Sequence, residues 1–157
     1  DISKYVVKLA AKKYKHNFYF VSSVFNLPIA NNSIDLLLSV FAPIEALEFK
    51  RVLAKNGYII IVNSGKNHLK ELAEEIYDTF NEHENNVDTK MLPAFQQDVT
   101  NKVSFKIELK NNEELLMLLK MTPYYWHTSK ERLTKLSNYN SLSVTCDFNI
   151  IVYKHTD

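Results

Sequence analysis

Asn32-Ser33-Ile34-Asp35-Leu36-Leu37-Leu38-Ser39-Val40-Phe41-Ala42-Pro43 is followed by an amphipathic stretch and then by Leu53-Ala54-Lys55-Asn56-Gly57-Tyr58-Ile59-Ile60-Ile61-Val62. Both apolar runs are too continuous for a half-exposed sheet, and each is bounded by turn residues. They read as buried parallel strands joined by a crossover helix, the strand-helix-strand unit of an α/β sheet. Sheets of this kind bind ligands outside the carboxyl ends of their strands. Those ends are Phe41-Ala42-Pro43 and Asn63-Ser64-Gly65.

The chain around this unit has 157 residues, enough for one domain with a sizeable core. With 19 basic and 18 acidic residues it has a formal net charge of +1, so any nucleic-acid contact must come from a local patch. Lys4, Lys8, Lys12, Lys13 and Lys15 cluster on a predicted helix and read as its solvated face. No apolar run is long enough to span a bilayer and no signal-peptide pattern opens the chain, so a soluble cytoplasmic protein without membrane contact is expected. The single cysteine, Cys146, excludes an internal disulfide or a Cys-rich zinc site within these residues and reads as a small core residue.

The chain opens at Asp1 and holds two glycines, Gly57 and Gly65. The glycine-rich turn that a doubly wound nucleotide-binding domain carries after its first strand is absent, so either the ligand is not a nucleotide or, the favoured reading, the chain is a fragment whose first strand lies upstream of Asp1.

In chain order, Ile2 to Tyr14 reads as a helix capped by Ser3, with Val6, Val7, Ala10, Ala11 and Tyr14 at helical spacing. Asp1 ahead of it is either an acceptor for the two hydroxyls of a ribose or an acid favoured by the helix dipole. Phe18 to Ser22 reads as a strand ending in Ser22-Ser23, whose hydroxyls either meet an adenine edge or form a turn. Asn56-Gly57 reads as a turn ahead of a Tyr58 to Val62 strand, and His68 opens a helix to about Phe80. Asn81 to Asp98, with Asn85 and Pro93, reads as an irregular connection. Val103 to Leu109, Asn112 to Lys120, Ser129 to Leu136 and Ser143 to Tyr153 read as strand, helix, short helix and strand. Between them, Met121-Thr122-Pro123-Tyr124-Tyr125-Trp126-His127 gathers three rings, suited either to stacking on a base or to core packing.

The order of acidic end, polar-ended strand, Leu27-Pro28 turn, Asp35-Leu36-Leu37-Leu38 strand, helix and Arg51-Val52-Leu53-x-x-x-Gly57-Tyr58 resembles a class I S-adenosylmethionine-dependent methyltransferase entered at its second strand. The resemblance narrows to the 23S rRNA (guanine-N1)-methyltransferases through several segments. These are Asp1-Ile2-Ser3-Lys4, Ser22-Ser23, Phe41-Ala42-Pro43, His68-Leu69-x-Glu71-Leu72, Met121-Thr122-Pro123-Tyr124-x-Trp126 and Asp147-Phe148-Asn149-Ile150. Lys55-Asn56-Gly57 stands where that pattern has Lys-Pro-Gly.

The resemblance implies a Rossmann-like, mostly parallel sheet flanked by helices, here a partial domain over residues 1-157 without the first strands and the glycine-rich loop. A zinc module would belong only to the missing amino-terminal part. It also implies S-adenosylmethionine as cofactor and 23S rRNA as partner. Asp1 would hold the ribose, Ser22 and Ser23 would lie by the adenine, and His68 would contact the cofactor. The guanine would enter near Phe41 and Pro43, with Tyr124, Tyr125 and Trp126 as walls.

Guanine N1 must lose a proton, for which Glu45 and His68 are the candidates. Without the glycine loop the polypeptide is expected to bind S-adenosylmethionine weakly or not at all. Its Phe18 to Ser22 strand, short of neighbours, is expected to re-pair or form a homodimer. The alternatives are the same fold with a small-molecule substrate, and a non-catalytic binding module.

Overall fold

The computed structural model describes residues 1–80, 82, 86–92 and 94–155. In order the elements are α1 (Lys4–Lys13), β1 (Ile34–Val40), α2 (Ala46–Val52), β2 (Leu53–Ser64), α3 (Lys70–Ile76), α4 (Val87–Met91), β3 (Gln96–Leu109), α5 (Asn112–Lys120), a 3-10 helix (Pro123–His127), α6 (Lys130–Ser137) and β4 (Leu142–Lys154). The strands form one sheet in the order β1-β2-β4-β3. The chain divides into two compact units. One takes the described residues of Asp1–Val62, Asn86–Thr100 and Ile151–Asp157, the other those of Asn63–Asn85 and Asn101–Ile150.

In the first unit the strand-helix-strand order holds, β1 and β2 pairing in parallel from Leu36 opposite Tyr58 through Val40 opposite Val62. The expected burial of β1 is corrected: Leu36, Leu38 and Val40 alternate on an exposed face, so the continuous apolar run marks a half-exposed strand here. Residues between Leu53 and Tyr58 are extra, because Ile34 already faces Leu53. The expected Asn56-Gly57 turn is therefore not ahead of β2 but inside it, as a bulge with Asn56 in the left-handed region (φ 62°). Gly57 is required there, since a Cβ would lie 2.9 Å from the Ala54 carbonyl oxygen and 3.0 Å from that of Asp35. His155 binds the bulge, its N–H donating to the Gly57 carbonyl at 2.9 Å and its Nδ1 lying 3.1 Å from the Ala54 carbonyl. The core comprises Phe49, Leu53, Ile59, Ile61, Met91, Phe95, Ile151 and Tyr153 among others.

One further expectation for this unit is corrected. Phe18 to Ser22 forms no strand; its recorded backbone bond is Ser22 N–H to the Asp1 carbonyl at 3.1 Å, and Phe18 is fully exposed. Aromatic and β-branched residues make a strand only where a neighbouring strand offers a ladder, and none among the described residues does. Helix α1 is capped by Ser3, whose Oγ accepts the Val6 N–H, but it buries none of its residues: Val6 and Leu9 are exposed while Val7 and Ala10 are half-buried.

The expected irregular connection holds α4, whose Val87 and Met91 are buried, and β3 begins at Gln96 rather than Val103. The Asn81, Asn85 and Pro93 positions of that reading lie outside the described residues.

The second unit has its own core of Leu69, Leu72, Ile76, Leu109, Leu115, Leu119, Leu136 and Val144. Helices α5 and α6 lie where the periodicity puts them, capped by the Asn111 and Ser129 side chains. Within this unit the chain leaving β2 runs antiparallel to β4. Asn149 donates to the Ser64 carbonyl, Gly65 N–H to that of Asp147 and Leu69 N–H to that of Thr145, so one number rises as the other falls. Cys146 is buried, as expected of a small core residue, and burial pushes its thiol up. Among the described residues no helix is long and apolar enough to cross a membrane.

Candidate functional site

The carboxyl end of β1 opens onto a cavity of about 590 Å³ in the first unit, lined by Asp1, Ser22, Ser23, Phe25, Leu27, Phe41 and Pro43, with Phe20 and Phe49 among the other walls. Five of the site residues expected from the sequence, Asp1, Ser22, Ser23, Phe41 and Pro43, are thus brought together. Its size suits a small organic ligand, with apolar walls and few polar groups.

Asp1 and Ser22 meet through their backbones, and Asp1 Oδ1 accepts the Ser3 N–H at 2.7 Å. The Ser22 hydroxyl donates within its own turn, to the carbonyls of Asn26 at 2.7 Å and Ser23 at 3.0 Å, while the Ser23 Oγ accepts the Phe25 N–H at 3.3 Å. The turn-forming role is therefore realised, and what Ser22 can offer a ligand is an acceptor lone pair, suited to an amino group. Phe41 ends β1 in the left-handed region at φ 49°, uncommon for a bulky side chain and typical of a residue held by its function or its surroundings.

Glu45 is the half-buried residue ahead of α2 and is not on the cavity wall; its carboxylate makes no capping bond.

The wall around Leu27 is held by a pair the sequence reading did not single out. Glu48 Oε1 accepts the Leu27 N–H at 2.6 Å and Arg51 Nη2 at 2.7 Å, and Oε2 accepts Arg51 Nε at 2.8 Å. Arg51 then donates to the carbonyls of Ile29 (2.8 Å) and Leu27 (3.0 Å) and to the Asn31 side chain (2.7 Å). The Arg51 guanidinium, with the Leu27 N–H, holds the Glu48 carboxyl down to about 2, and the carboxylate in turn raises Arg51. The Glu-x-x-Arg spacing one helix after a Leu-Pro turn is the signal that could have revealed it.

The remaining expected residues belong to the second unit. His68 does not open a helix. It lies in the turn before α3, whose cap residue Leu69 is left-handed (φ 54°) and buried. His68 Nδ1 accepts the Asp147 N–H at 3.2 Å, and its ring lies 5.0 Å from that of Phe148.

Glu71 clamps the same turn to β4, accepting the Thr145 N–H at 2.8 Å and hydroxyl at 2.6 Å. Burial opposes the charge on Glu71, but those two bonds and Lys106 hold its carboxyl below the usual range. The His-Leu-x-Glu-Leu segment is thus a docking device for the start of α3.

The three rings divide. Tyr124 and Tyr125 pack against the core, Tyr124 edge-on to Tyr77 at 5.6 Å with its hydroxyl pushed up by burial and by Tyr77. Trp126 stands out at 81% exposure with Tyr125 edge-on beside it at 5.3 Å. The packing reading holds for the tyrosines, and Trp126 is the ring available for stacking.

No family model matches the chain. A Bacillus subtilis protein named provisionally as a 23S rRNA (guanine-N1)-methyltransferase is 27% identical over 97% of this chain and 55% of its own length. The 23S rRNA (guanine(748)-N1)-methyltransferase of Streptomyces fradiae is 23% identical over 96% of this chain and 56% of its own length. The chain spans about half the length of the curated relatives it matches.

Among solved structures, a methyltransferase-like protein of Bacillus halodurans superposes with a TM-score of 0.59 at 12% identity, covering 98% of this chain and 80% of its own. A Thermotoga maritima S-adenosylmethionine-dependent methyltransferase gives 0.54 at 16%, covering 99% and 72%. The fold is that of the class I methyltransferases, and the resemblance carried by the motifs is matched by the names of the curated relatives.

Proposed function

We propose that the chain is the carboxyl-terminal part of the catalytic domain of an S-adenosylmethionine-dependent methyltransferase acting on N1 of a guanine in 23S rRNA. The observation that carries this reading is the single cavity that gathers Asp1, Ser22, Ser23, Phe41 and Pro43 at the end of β1. Residues scattered over 43 positions share one wall, and their chemistry fits an adenosine: a carboxylate for a vicinal diol, a serine acceptor for an amino group and phenyl rings for the base. The names of relatives matching nearly the whole chain supply the substrate class.

The cofactor, when bound, supplies an electrophilic methyl on sulfonium. The chain's own residues then position and desolvate. Phe41 and Pro43 form the wall where a planar base would meet the cavity, and Trp126 offers an exposed ring for the RNA to stack on. In-line transfer draws most of its rate from such positioning. A small-molecule substrate is the second reading, since the Thermotoga maritima neighbour carries histamine N-methylation as a candidate activity in its name.

Transfer of labelled methyl to unmodified 23S rRNA tests the reading, with the chain extended to the length of its relatives. Primer extension should stop one nucleotide before the modified guanine, because N1 methylation blocks pairing. Label that reaches only small amines, or nothing, overturns it. Beside it, the 157-residue chain should bind S-adenosylmethionine at least about tenfold more weakly than the longer product, since its two glycines, Gly57 and Gly65, lie in a strand bulge and against Asp147 rather than in a cofactor loop. Equal affinities would place the cofactor contacts within these residues.

A further inference from the structure

The stretch from Ile2 to Ile34 holds five of the 19 basic residues and none of the 18 acidic ones, so it carries +5 in a chain whose net charge is +1. Lys4, Lys8, Lys12 and Lys13 lie in α1, and Lys15 follows it. Every other α-helix described, α2 to α6, mixes the two signs.

The lysines of α1 stand where they weaken the helix. Its first turn opens with Lys4 and holds no acid, although the helix dipole favours an anion there. Lys4, Lys8 and Lys12 follow one another at four-residue spacing, where like charges repel. A face built only for solvent would gain from a glutamate at one of these places. The row, about 12 Å long, is complementary to a polyanion outside the chain.

Apolar groups accompany the charge. Val7 and Ala10 are half-buried and mark the inner side of α1, which leaves Lys4, Lys8 and Lys12 outward with the exposed Tyr5 and Leu9 beside them. Beyond the helix, Tyr14 is half exposed with Lys13 Nζ 5.1 Å from its ring centre, and Phe18 is fully exposed. A bare ring beside a lysine row is a platform on which a base can stack. Asp1 and Ile2, just ahead of α1, line the cavity at the end of β1.

We propose that the outward face of α1 and the Tyr14 to Phe18 turn bind an unpaired stretch of the substrate RNA, with Lys4, Lys8 and Lys12 on phosphates and Phe18 stacked on a base. This rests on the rRNA reading above. An anionic membrane surface is the other partner of a basic helix, but that fit needs one continuous apolar face. Here Tyr5 and Leu9 share the outward side with the lysines, and Val7 and Ala10 are turned in.

The first test is fluorescence anisotropy of a labelled single-stranded oligoribonucleotide of about 12 nucleotides, titrated with the 157-residue chain at several salt concentrations. The triple variant Lys4→Gln, Lys8→Gln and Lys12→Gln should bind at least about tenfold more weakly at low salt. It should also lower the slope of log affinity against log salt by about two, since each phosphate contact to a single strand contributes about 0.7. Its thermal stability should not fall, because like charges leave the helix. Phe18→Ala should weaken binding about tenfold with the slope unchanged. An equal loss from Lys102→Gln, Lys110→Gln and Lys120→Gln, exposed lysines of the second unit, would mean that net charge alone acts, and overturns the proposal. So does tighter binding to vesicles of anionic phospholipid than to the RNA.

The second test uses the extended enzyme, where the α1 triple variant should raise the KM for 23S rRNA about tenfold with kcat kept. Methyl transfer at an unchanged KM overturns the inference and leaves the functional reading standing. RNA binding through α1 with no methyl transfer does the reverse.

Discussion

Each unit carries one loop bearing expected ligand residues or their neighbours, and the two loops are held by different physics. In the first unit, Leu27 to Asn31 hangs on the Glu48–Arg51 ion pair, whose two side chains bond the backbone of Leu27 and Ile29 and the Asn31 side chain. In the second unit, Ser64 to His68 is held by main-chain and side-chain bonds to Asp147 and Asn149 of β4 and by the close approach of Gly65 to the Asp147 carboxylate, which a Cβ would have to displace. The first is held by charge, the second by shape. A charge-held loop should respond to protonation and tolerate small steric changes; a shape-held loop should do the reverse.

The largest effect should come from Gly65→Ala. The added methyl must displace the Asp147 carboxylate, which takes the Asn67 bond with it, and overpacking of this kind costs about 1–3 kcal/mol. Denaturant midpoints measure it. Gly65→Ala combined with Asp147→Ala should cost less than the two single changes summed, because removing the carboxylate clears the space. Strict additivity would mean the loop is not held by shape.

Glu71→Gln comes next. It keeps one acceptor for Thr145 but gives up the charge, and a part-buried bond to a charged group is worth about 1.5–3 kcal/mol, of which roughly half should be lost. Smaller still is Trp126→Ala, which at 81% exposure should change stability by less than about 0.5 kcal/mol. Methylation of rRNA should fall in the same variant if the ring stacks on RNA. A stability loss as large as that of a core ring would show that Trp126 is packed in solution.

The legible parts of the molecule were those fixed by near neighbours in the chain. The β1–α2–β2 unit, α5, α6 and β4 follow from apolar runs and caps within a few residues of each element. Phe18 to Ser22 was misread because a strand is a property of a pair, and its composition says nothing about whether a partner is there. The bulge at Asn56 and Gly57 was read as a turn because the same left-handed residue serves both.

In the site, the residues of the His68-Leu69-x-Glu71 segment stood out, yet their roles did not. Their partners Thr145 and Asp147 are 74 and 79 residues away, and no periodicity reports a contact of that range. The Glu48–Arg51 pair was hidden for the opposite reason: at three residues apart it looks like any surface pair until the loop it holds is in place.

That pair offers the finest test of the comparison. The Glu48 carboxyl is held at about 2 against an ordinary 4.5, so the folded protein keeps the anion while the unfolded chain takes up a proton. The contribution is complete above about pH 4.5, fades as pH falls from there, and is gone below about 2. Glu48→Gln removes the titrating group while leaving an oxygen for the Leu27 N–H and Arg51. Its stability should therefore fall less steeply than the wild type's between pH 4.5 and 2, the two curves converging at the acid end. Glu71 and Glu75, also held low, titrate in both proteins and cancel in the difference. Parallel acid limbs would show that the carboxylate does not hold the loop, and the distinction between a charge-held and a shape-held loop would reduce to packing in both.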